Sequence, residues 1–556
     1  MSETSATQEF LRARDLLLLH RTDLAKATAE FRWPRLERFN WALDWFDTVA
    51  ARQDRTALRI VGAAGPGTDR LLGFGELSLR SGRVAVRLRA LGLRRGDPLL
   101  LMLGNRVEVW ETMLAAMKLG AIVIPTYATA TAAELADRLD RGRVRCVIAE
   151  AGLTDRFAGL PGGWLGISVG GGAEGWIPYE DAGAAAVPFT PEGVTRGDDP
   201  LFRYFTSGTT SKPKMVEHTH VSYPVGHLSG MYWNGLLPGD VHLNISAPGW
   251  AKHAWSSLFV PWNAEATVVA LDAADTSPGR ILDVLRTRDV STFCAPPTVW
   301  RALAAEGLGP RPPALREAMA AGEPLEPSLI EQVGRAWGVD LRDGYGQTET
   351  TGQIGNPPGR TPVPGTMGFP LPGYEVALVD PGTGRVVPGG EVGEICLELR
   401  RERPLGVMRG YVGDPRRTEK VFAGGRYHTG DLAVRGTDGR LTYVARADDM
   451  FKSFDHRISP RELEEALLRD PAVADAAVVP VPDPVGLWVP KAYVVSAPGQ
   501  RADAAAARGV LERAAALLPP EKRVRVVEFA AELPRTASGK VRRAELRERV
   551  AGAEYR

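Results

Sequence analysis

Apolar runs that suit buried strands alternate with amphipathic stretches in the first half of the chain. In segment 99–127 an apolar run at 99–103 is followed by a Gly-Asn turn, an amphipathic stretch and a second apolar run at 121–125. This order predicts a strand, a helix and a parallel strand, joined by a right-handed crossover. The same pattern predicts a helix at 132–141 and strands at 145–149, 266–271 and 291–295. The middle of the chain is therefore predicted to be a layered α/β body.

The hydrophobic pattern changes twice towards the end of the chain. From about residue 365, short β-type runs alternate with Gly and Pro turns, which predicts a small antiparallel barrel or sheet. After Arg446 the pattern predicts helices at 460–469 and 504–518 and strands at 474–480 and 491–496. We therefore predict a boundary near residues 447–449, between a domain of residues 1–447 and a smaller α+β domain of residues 448–556.

Composition narrows the classes of protein. The chain has 556 residues, 44% of them hydrophobic, and 68 Lys and Arg against 67 Asp and Glu. A net charge of +1 argues against a nucleic-acid binder. The three cysteines, Cys146, Cys294 and Cys396, form no CxxC pattern, which favours a reducing compartment. No stretch approaches the ~20 apolar residues of a membrane span, so we expect a cytoplasmic protein without one. The sequence does not predict the oligomeric state.

The strongest local signal is a loop rich in hydroxyl groups and glycine. It contains Thr206, Ser207, Gly208, Thr209, Thr210 and Lys214. Hydroxyls and backbone N–H groups can surround a polyphosphate, and a lysine can neutralise its charge. The loop does not have the P-loop pattern GxxxxGK[ST]. A surface loop without a ligand is the structural alternative.

Two further segments combine carboxylates with aromatic or glycine residues. In 343–350, Tyr345 between two glycines can stack on a flat base, and Glu349 can hold Mg²⁺ by oxygen ligation. In 427–431, Asp431 can accept hydrogen bonds from two ribose hydroxyls. The alternatives are a strand end with an exposed tyrosine and an ordinary turn aspartate.

The last two segments are charged. Residues 446–457 lie between two regions of different pattern and are also typical of a solvated linker. Lys540 stands in a Gly/Ser loop, where a mobile cation could reach a reacting oxyanion. An ordinary tail lysine is the alternative. Each of the five segments is weak by itself, so their order and spacing decide the interpretation.

Together the five segments resemble the AMP-forming adenylating superfamily, which includes acyl-CoA synthetases, peptide-synthetase adenylation domains and luciferases. The resemblance covers about residues 35–550. FRWPRLERFNWALDWFD, YFTSGTT and APGWAKHAWSSLFVPW resemble the acetyl- and medium-chain acyl-CoA synthetase branch. The resemblance implies an α/β fold with a large N-terminal domain and a small mobile α+β C-terminal domain. The large domain would hold two parallel-rich α/β subdomains and a small β-barrel.

The resemblance also implies how ATP and Mg²⁺ are bound. The loop of Thr206, Ser207, Gly208, Thr209, Thr210 and Lys214 would surround the β- and γ-phosphates. The adenine side would be formed by Gly322, Glu323, Pro324, Asp343, Gly344, Gly346 and Gln347, with Tyr345 stacked on the base. Thr348 would touch the α-phosphate and Glu349 would hold the metal. Asp431 and Arg446 would bind the ribose hydroxyls.

The remaining implied roles concern catalysis and domain movement. Lys540 would bridge the substrate carboxylate and the α-phosphate, and Asp448 would be the hinge about which the C-terminal domain rotates before thioester formation. Arg457 would serve CoA or pyrophosphate. A carboxylate attacking a polyanion meets charge repulsion, so catalysis should depend on positioning and charge neutralisation. Rotation of the C-terminal domain would move Lys540 away from the site and open a tunnel for the thiol.

Two positions depart from the family pattern. Ser211 replaces the usual glycine of the phosphate loop, which limits backbone freedom there. Asp455 replaces the glycine that lets pantetheine approach the backbone, so the thiol acceptor is less firmly predicted than the adenylate.

The acyl pocket is predicted from three positions. Gly346 stands where acetate-specific relatives carry a pocket-shortening Trp, so we expect a longer pocket. Trp250 and His253 are candidate wall residues, with Trp255, Val299 and Trp300 as further candidates that equally suit a core. APGWAKHAW contains no carboxylate for an α-amine. A short- or medium-chain, branched or aromatic monocarboxylate is favoured over an amino acid.

Three functions remain open on the sequence. The first is an AMP-forming acyl-CoA synthetase that uses ATP, Mg²⁺ and coenzyme A. The second is a ligase that transfers the same acyl-adenylate to a carrier protein in trans, which Asp455 supports. The third is a non-catalytic nucleotide or acyl-ligand sensor, against which the retention of Lys540, Glu349 and Asp431 argues.

Overall fold

The computed structural model describes residues 5–62, 65, 67–179, 188–206, 212–272, 276–453, 456–483, 487–535, 541–549 and 552–556. The chain divides into two compact units. The first comprises residues 1–206, 212–375 and 398–427, and the second contains residues 376–397 and 428–556. The predicted boundary at residues 447/448 lies within the second unit and stays a prediction.

The first unit contains an eight-stranded sheet. Its strands in spatial order are Gly410–Tyr411, Lys214–Thr219, Pro200–Thr206, Ile122–Pro125, Pro98–Met102, Cys146–Glu150, Leu165–Val169 and Ile177–Pro178. Strand Lys214–Thr219 pairs antiparallel with both of its neighbours. The strands from Pro200–Thr206 to Ile177–Pro178 run parallel to one another. The predicted strand–helix–strand unit of segment 99–127 is confirmed at the centre of this sheet, because strand Pro98–Met102 pairs in parallel with Ile122–Pro125.

A nine-stranded sheet completes the first unit. Its strands in spatial order are Phe369–Pro370, Thr351–Gly355, Leu341–Gln347, Glu317–Ala321, Thr292–Ala295, Val241–Asn244, Thr267–Leu271, Thr56–Val61 and Arg70–Gly73. The strands from Leu341–Gln347 to Thr56–Val61 are parallel, and those at both edges are antiparallel. Parallel strands need both faces covered, which explains why Val269, Phe293 and Leu341 are fully buried.

Helices of the first unit connect and cover these strands. The α-helices are Ser5–Leu19, Leu24–Glu30, Asp47–Arg52, Phe74–Ala90, Val107–Leu119, Ala132–Gly142, Leu228–Asn234, Ala251–Ala254, Val260–Asn263, Pro278–Thr287, Pro297–Glu306, Pro327–Trp337 and Pro415–Val421. π-helices span Trp41–Phe46 and Trp255–Phe259, and 3-10 helices span Ala151–Phe157 and Ala423–Gly425. The predicted helix at 132–141 begins with a capping box, in which Thr131 and Glu134 each bond the other's backbone N–H.

The second unit contains shorter sheets. Strands Val376–Val379, Val392–Glu398, Arg426–Arg435 and Leu441–Arg446 form the predicted small sheet, which is antiparallel at its two outer pairs. A hairpin joins Phe451–Ser453 to His456–Ile458, and a last sheet contains Val473–Asp483, Leu487–Ser496, Val526–Phe529 and Glu554–Tyr555. Its helices are Pro460–Leu467, Ala504–Leu517, Arg543–Glu548 and the 3-10 turn Pro520–Lys522. Across the described part of both units, no helix is long and apolar enough to cross a membrane.

Candidate active site

The predicted adenine-side residues meet at one edge of the nine-stranded sheet. Strands Glu317–Ala321 and Leu341–Gln347 run parallel, and Ala321 lies opposite Gly344. Gly322, which follows Ala321, has a φ of +104°, a conformation that glycine adopts without strain. Glu323 and Pro324 come next, and Tyr345 follows Gly344. The carboxyl edge of parallel strands is where α/β sheets bind ligands, so the topology brings these residues to a suitable place.

The predicted metal carboxylate and phosphate lysine lie close together. Glu349 is 8% exposed, and its Oε1 accepts a hydrogen bond from the Tyr411 hydroxyl at 3.0 Å. Lys214 Nζ is 3.9 Å from the same Oε1 and 5.3 Å from the centre of the Tyr411 ring. Burial and the Glu349 charge raise the pKa of Tyr411, so the phenol stays a donor. Lys214 begins its strand directly opposite Thr206, at the base of the hydroxyl-rich loop.

His218 contacts the backbone of Thr348, a contact that the sequence analysis did not identify. Its Nε2 donates to the backbone carbonyl of Thr348 at 2.6 Å, and its Nδ1 accepts from the Ser222 hydroxyl at 2.9 Å. A carbonyl only accepts, so the proton must be on Nε2. Burial lowers the pKa of His218 to about 4, which keeps the ring neutral. No local signal could have identified this contact, because His218 and Thr348 are 130 positions apart.

Other predicted cofactor residues are tied into the backbone around Tyr345. The Asp343 side chain accepts from the Gly344 N–H at 2.8 Å. Gly344 faces Trp233, since a Cβ built on Gly344 would come within 2.3 Å of that ring. Gln347 accepts from the Tyr427 hydroxyl at 3.1 Å. These residues therefore have structural partners, and their contacts with a nucleotide stay predictions.

The candidate acyl-pocket residues Trp250 and His253 follow strand Val241–Asn244. The Trp250 ring stacks on Tyr127, with centroids 4.7 Å apart and planes 6° from parallel. His253 is buried, and its Nε2 lies 3.2 Å from the Asn105 side-chain oxygen. Burial lowers the pKa of His253 to about 3, so its ring is neutral near pH 7. Two neutral rings at this place suit an uncharged acyl tail.

Lys252 lies between the two acyl-pocket candidates in sequence. Its Nζ donates to the carbonyl of Ala321 at 3.0 Å, at the end of the strand that precedes Gly322. Burial lowers the pKa of Lys252. This bond joins the segment of the acyl-pocket candidates to the end of the strand that precedes the predicted adenine-side residues.

Gly346 has a structural requirement that the sequence did not reveal. A Cβ on Gly346 would lie 2.1 Å from the carbonyl oxygen of Thr351, which itself has a φ of +60°. The pairing between strands Leu341–Gln347 and Thr351–Gly355 is irregular at this point. Glycine is therefore needed for the close approach of the hairpin backbone. The role of Gly346 in lengthening the acyl pocket stays a prediction.

The further wall candidates pack in the core. Trp255 stacks on Trp233 with planes 6° from parallel. Trp300 is fully buried, and its ring N–H donates to the Met319 carbonyl at 3.1 Å. Core packing accounts for both tryptophans.

The predicted ribose-binding pair is part of the second unit. Asp431 and Arg446 lie directly opposite each other on neighbouring antiparallel strands. Arg446 Nη1 is 3.2 Å from Asp431 Oδ2, and Tyr443 donates to Asp431 Oδ1 at 3.3 Å. Arg446 Nε also donates to the predicted hinge residue Asp448 at 3.3 Å. The Asp431 carboxylate is thus held in place by two donors.

Several predicted site residues belong to segments outside the described part of the chain. Ser207, Gly208, Thr209, Thr210, Ser211, Asp455 and Lys540 lie outside the described residues. For Arg457 only the backbone is described, opposite Lys452 in a short hairpin. The roles of these residues stay predictions.

Comparison with protein families identifies the class. A family model described as AMP-binding enzyme matches residues 45–412, more than half of the chain. The chain belongs to the AMP-binding enzyme family. A second model, described as AMP-binding enzyme C-terminal domain, matches residues 462–540 of this AMP-binding enzyme.

Individual relatives match this chain over nearly its whole length and over nearly their own. The AMP-binding enzyme is 40% identical to 4-hydroxybutyrate–CoA ligase 1 of Metallosphaera sedula, over 92% of this chain and 91% of that one. It is 34% identical to acyl-coenzyme A synthetase ACSM3 of Mus musculus, over 92% and 91%. The solved anthranilate CoA ligase AuaEII, in complex with anthranoyl-AMP, matches with a TM-score of 0.82 at 28% identity, over 92% and 97%. The predicted superfamily, the mixed α/β fold and the class of AMP-forming acyl-CoA synthetase are confirmed.

The buried histidines of this AMP-binding enzyme should make its stability sensitive to acid. Burial lowers the pKa of His218 and His242 to about 4 and that of His220 and His253 to about 3. In the unfolded chain these groups titrate near ~6.5, so between the two values the unfolded state binds more protons. The neutral histidines therefore make their full contribution to the free energy of unfolding above about pH 6.5. Below that pH the free energy of unfolding falls, by up to about 1.4 kcal/mol per pH unit for each histidine.

Urea unfolding followed between about pH 7 and pH 5 measures this slope. His242 bonds Thr292 and Ser256 in the core and has no role predicted from the sequence, so it is the histidine to replace. We expect His242→Gln to unfold at lower urea throughout but with a shallower dependence on pH. If the free energy of unfolding depends equally on pH in the two proteins, the pKa of His242 is not lowered by folding.

Proposed function

We propose that this enzyme joins a carboxylic acid to AMP with release of pyrophosphate, and then transfers the acyl group to the thiol of coenzyme A. The observation that carries the proposal is the arrangement of Glu349, Lys214 and Tyr411. A buried carboxylate and a lysine 3.9 Å apart form a paired charge site at the base of a hydroxyl-rich loop. Such a site suits a polyphosphate with its counter-ion.

The donor set fits Mg²⁺. Mg²⁺ prefers oxygen ligands and is usually bound through one or two carboxylates together with substrate phosphates. Glu349 offers such a carboxylate, and the bond from Tyr411 orients it. When bound, the ion would neutralise charge on the phosphates. ATP and CoA use follows the family, whereas the Mg²⁺ requirement is part of this proposal.

The chain's own groups would act by positioning and by charge. Lys214 would neutralise phosphate oxygens, and Tyr411 would hold Glu349 in one orientation. His218 would hold the Thr348 backbone at the α-phosphate, because it bonds that carbonyl directly. No proton transfer is needed when a carboxylate attacks phosphorus, so the absence of a base from this scheme is chemically consistent.

The remaining residue roles are proposed as the family pattern implies them. Tyr345 would stack on adenine above Gly322, Glu323 and Pro324, with Asp343, Gly344, Gly346 and Gln347 shaping the strand end. Asp431 and Arg446 would bind the ribose. Thr206, Ser207, Gly208, Thr209 and Thr210 would surround the phosphates.

The domain roles are part of the same proposal. Residues 1–447 would carry out nucleotide and acyl binding, and residues 448–556 would rotate about Asp448. That rotation would replace Lys540 by the thiol acceptor, with Arg457 serving CoA or pyrophosphate. The cytoplasmic location, predicted from cysteine usage, is likewise a proposal.

The favoured acid is a short- or medium-chain, branched or aromatic monocarboxylate. The support is the stacked pair of Trp250 and Tyr127, the neutral ring of His253 and the lack of a carboxylate in APGWAKHAW. Anthranilate, the acid in the name of one relative, is an aromatic monocarboxylate of this range. The acid in the name of another, 4-hydroxybutyrate, adds an ω-hydroxy acid to it.

A substrate panel tests the function. Pyrophosphate exchange into ATP is measured with linear acids from two to ten carbons, branched acids, hydroxy acids, aromatic acids and amino acids. We expect exchange with several of the monocarboxylates and none with amino acids. Exchange with no acid in the panel would contradict the proposal and favour a sensor.

The acceptor needs a separate assay. Acyl transfer is compared between free CoA and a carrier protein bearing phosphopantetheine, in the wild type and in Asp455→Gly. We expect transfer to CoA in the wild type and faster transfer in the glycine variant. Transfer to the carrier alone would favour the carrier-protein ligase that Asp455 left open.

Asp431→Asn should weaken ATP binding through the ribose. The substitution removes the charge that would accept the ribose hydroxyls, and a hydrogen bond to a charged group is worth about 1.5–3 kcal/mol. We expect the KM for ATP to rise about 10- to 100-fold with a smaller change in kcat. The preference for ATP over 2′-deoxyATP should fall at the same time.

Asp438→Asn is the matched control. Asp438 lies in the exposed turn that follows the strand of Asp431 and pairs with Arg440. We expect this variant to keep the wild-type KM and nucleotide preference. If Asp431→Asn raises the KM for both nucleotides by the same factor, Asp431 does not bind the 2′-hydroxyl.

A further inference from the structure

Three residues with metal-binding side chains converge on one face of the small antiparallel sheet. Glu394 and Cys396 are two residues apart on strand Val392–Glu398, so they point to the same face. His428 lies on strand Arg426–Arg435, the neighbour of that strand in the sheet. One potential ligand atom from each residue lies within 4.8 Å of the others. None of the three has a role in the proposed adenylation.

Both partners approach the same nitrogen of the imidazole. His428 Nδ1 is 2.9 Å from Glu394 Oε2 and 3.4 Å from Cys396 Sγ. In a nucleophile–base–acid relay, the nucleophile and the acid contact opposite nitrogens of the histidine. The arrangement in this protein therefore does not suit a catalytic cysteine triad. A nitrogen shared by a carboxylate and a thiol suits a single cation between all three.

The distances are close to those of a tetrahedral zinc site. With Zn–N near 2.0–2.1 Å, Zn–O near 2.0–2.2 Å and Zn–S near 2.3 Å, tetrahedral ligands are separated by about 3.3 Å for N···O and about 3.6 Å for N···S. The observed separations of 2.9 Å and 3.4 Å differ from these by a few tenths of an ångström. The third separation, between the Glu394 oxygen and Cys396 Sγ, is within 4.8 Å.

Burial and ligand chemistry also favour zinc. Cys396 is fully buried and Glu394 is 8% exposed, whereas 27% of the His428 side chain is exposed. The thiol and carboxylate are thus sheltered, and the imidazole side is open to solvent. Mixed nitrogen, sulfur and oxygen donors suit Zn²⁺ better than Mg²⁺ or Ca²⁺, which prefer oxygen.

We propose that Glu394, Cys396 and His428 bind one Zn²⁺ ion, with water in the fourth position. Binding converts the Cys396 thiol to a thiolate and releases its proton. Glu394 would coordinate through Oε2, while its Oε1 keeps the hydrogen bond from the Gly430 N–H at 2.8 Å. The ion would therefore stiffen the turn that leads into Asp431.

The effect on nucleotide binding rests on the proposed ribose role, whereas metal binding does not. Arg446, the partner of Asp431, also donates to the Thr429 carbonyl at 3.0 Å in the same turn. A metal-fixed Glu394 would hold residues 429–431 in the conformation seen here. We expect the zinc-loaded enzyme to bind AMP more tightly than the metal-free enzyme.

Metal titration of the full-length protein tests the proposal directly. Protein freed of metal by a chelator is titrated with Zn²⁺ against a competing chromophore, and separately with Co²⁺ under reducing conditions. We expect one saturable Zn²⁺ site, a rise in the unfolding temperature with Zn²⁺, and a thiolate-to-cobalt charge-transfer band. Lack of that band in the wild type would overturn the proposal without any variant.

Variants then assign the site. Cys396→Ser should abolish the thiolate–cobalt band, and His428→Gln should weaken Zn²⁺ binding more than about 100-fold, beyond the 10- to 100-fold typical of outer-shell changes. Cys146→Ser, a buried cysteine of the eight-stranded sheet, and His20→Gln are the controls and should leave both signals unchanged. A band that survives Cys396→Ser, or a loss in the controls, would place the metal elsewhere.

Failure of the adenylation proposal can be told apart from failure of this one. Pyrophosphate exchange with Mg²⁺ reports on adenylation, and the cobalt spectrum reports on the cluster. An enzyme that adenylates but shows no thiolate–cobalt band would refute only the zinc site. A protein with the band but no exchange would refute only the adenylation.

Discussion

Replacing Lys540 by alanine is expected to lower the rate of acyl-adenylate formation by about 10²–10³-fold, the effect of removing one preorganised group that stabilises developing charge. The attacking carboxylate and the α-phosphate are both anionic, and Lys540 is the proposed cation between them. The second step, attack of a thiol on the finished adenylate, does not need that cation. Thioester formation from supplied acyl-adenylate and CoA should therefore be largely retained. Pyrophosphate exchange measures the first step, and thioester release measures the second.

Lys522→Ala is the matched control for this experiment. Lys522 lies in the same region of the chain, with its Nζ 2.9 Å from both carboxylate oxygens of Glu462. We expect both half-reactions to proceed at wild-type rates in this variant. Equal loss of both half-reactions in Lys540→Ala would refute the exchange of Lys540 for the thiol acceptor.

Glu349→Gln is expected to have an effect of similar size, but one that depends on metal. Glutamine keeps the shape of the side chain and can still accept the Tyr411 hydrogen bond, but it has no charge to hold Mg²⁺. A bound metal supplies several kcal/mol of charge stabilisation in the transition state. We expect pyrophosphate exchange to fall about 10²–10³-fold and half-saturation by Mg²⁺ to move to higher concentration. Both follow from exchange rates measured over a range of Mg²⁺ concentrations.

Two control variants separate metal binding from other effects. Tyr411→Phe removes only the hydroxyl that orients Glu349, and loss of one hydrogen bond to a charged group should cost about tenfold in rate. Glu331→Gln changes an exposed carboxylate on helix Pro327–Trp337 and should change nothing. If Glu349→Gln lowers exchange without altering the Mg²⁺ dependence, Glu349 does not bind the metal.

Local pattern was sufficient for the regular elements. The predicted strand at 266–271 is Thr267–Leu271, and the predicted helix at 504–518 is Ala504–Leu517. Buried parallel strands must be apolar on both faces, so short apolar runs between turns identify them well. The helix Ala504–Leu517 begins at the predicted residue, where the Asp503 side chain caps it by accepting from the backbone N–H groups of Ala505 and Ala506.

Contacts between distant segments could not be predicted from the pattern. The bond from Tyr411 to Glu349 joins residues 62 positions apart, and the bond from His218 to Thr348 joins residues 130 positions apart. Neither Tyr411 nor His218 lies in one of the five segments that carry the resemblance. Their contacts follow from how the antiparallel edge of the eight-stranded sheet approaches the hairpin after Tyr345.

Gly346 is a second case in which the sequence shows a residue but not the reason for it. Its position in the sequence suggests an enlarged acyl pocket, and the structure shows that a Cβ there would meet the Thr351 carbonyl at 2.1 Å. The absence of a side chain is visible in a sequence. The reason for the absence depends on what occupies the space, which only the fold reveals.

The sequence by itself determined the fold class, the order of the elements and the AMP-forming class, because these depend on periodicity and on motifs whose residues are near neighbours along the chain. Only the tertiary structure decided which groups orient Glu349 and Thr348, and only it brought Glu394, Cys396 and His428 to one point. Those contacts depend on strand register and sheet order, and a one-residue change of register would turn each of these side chains to the other face.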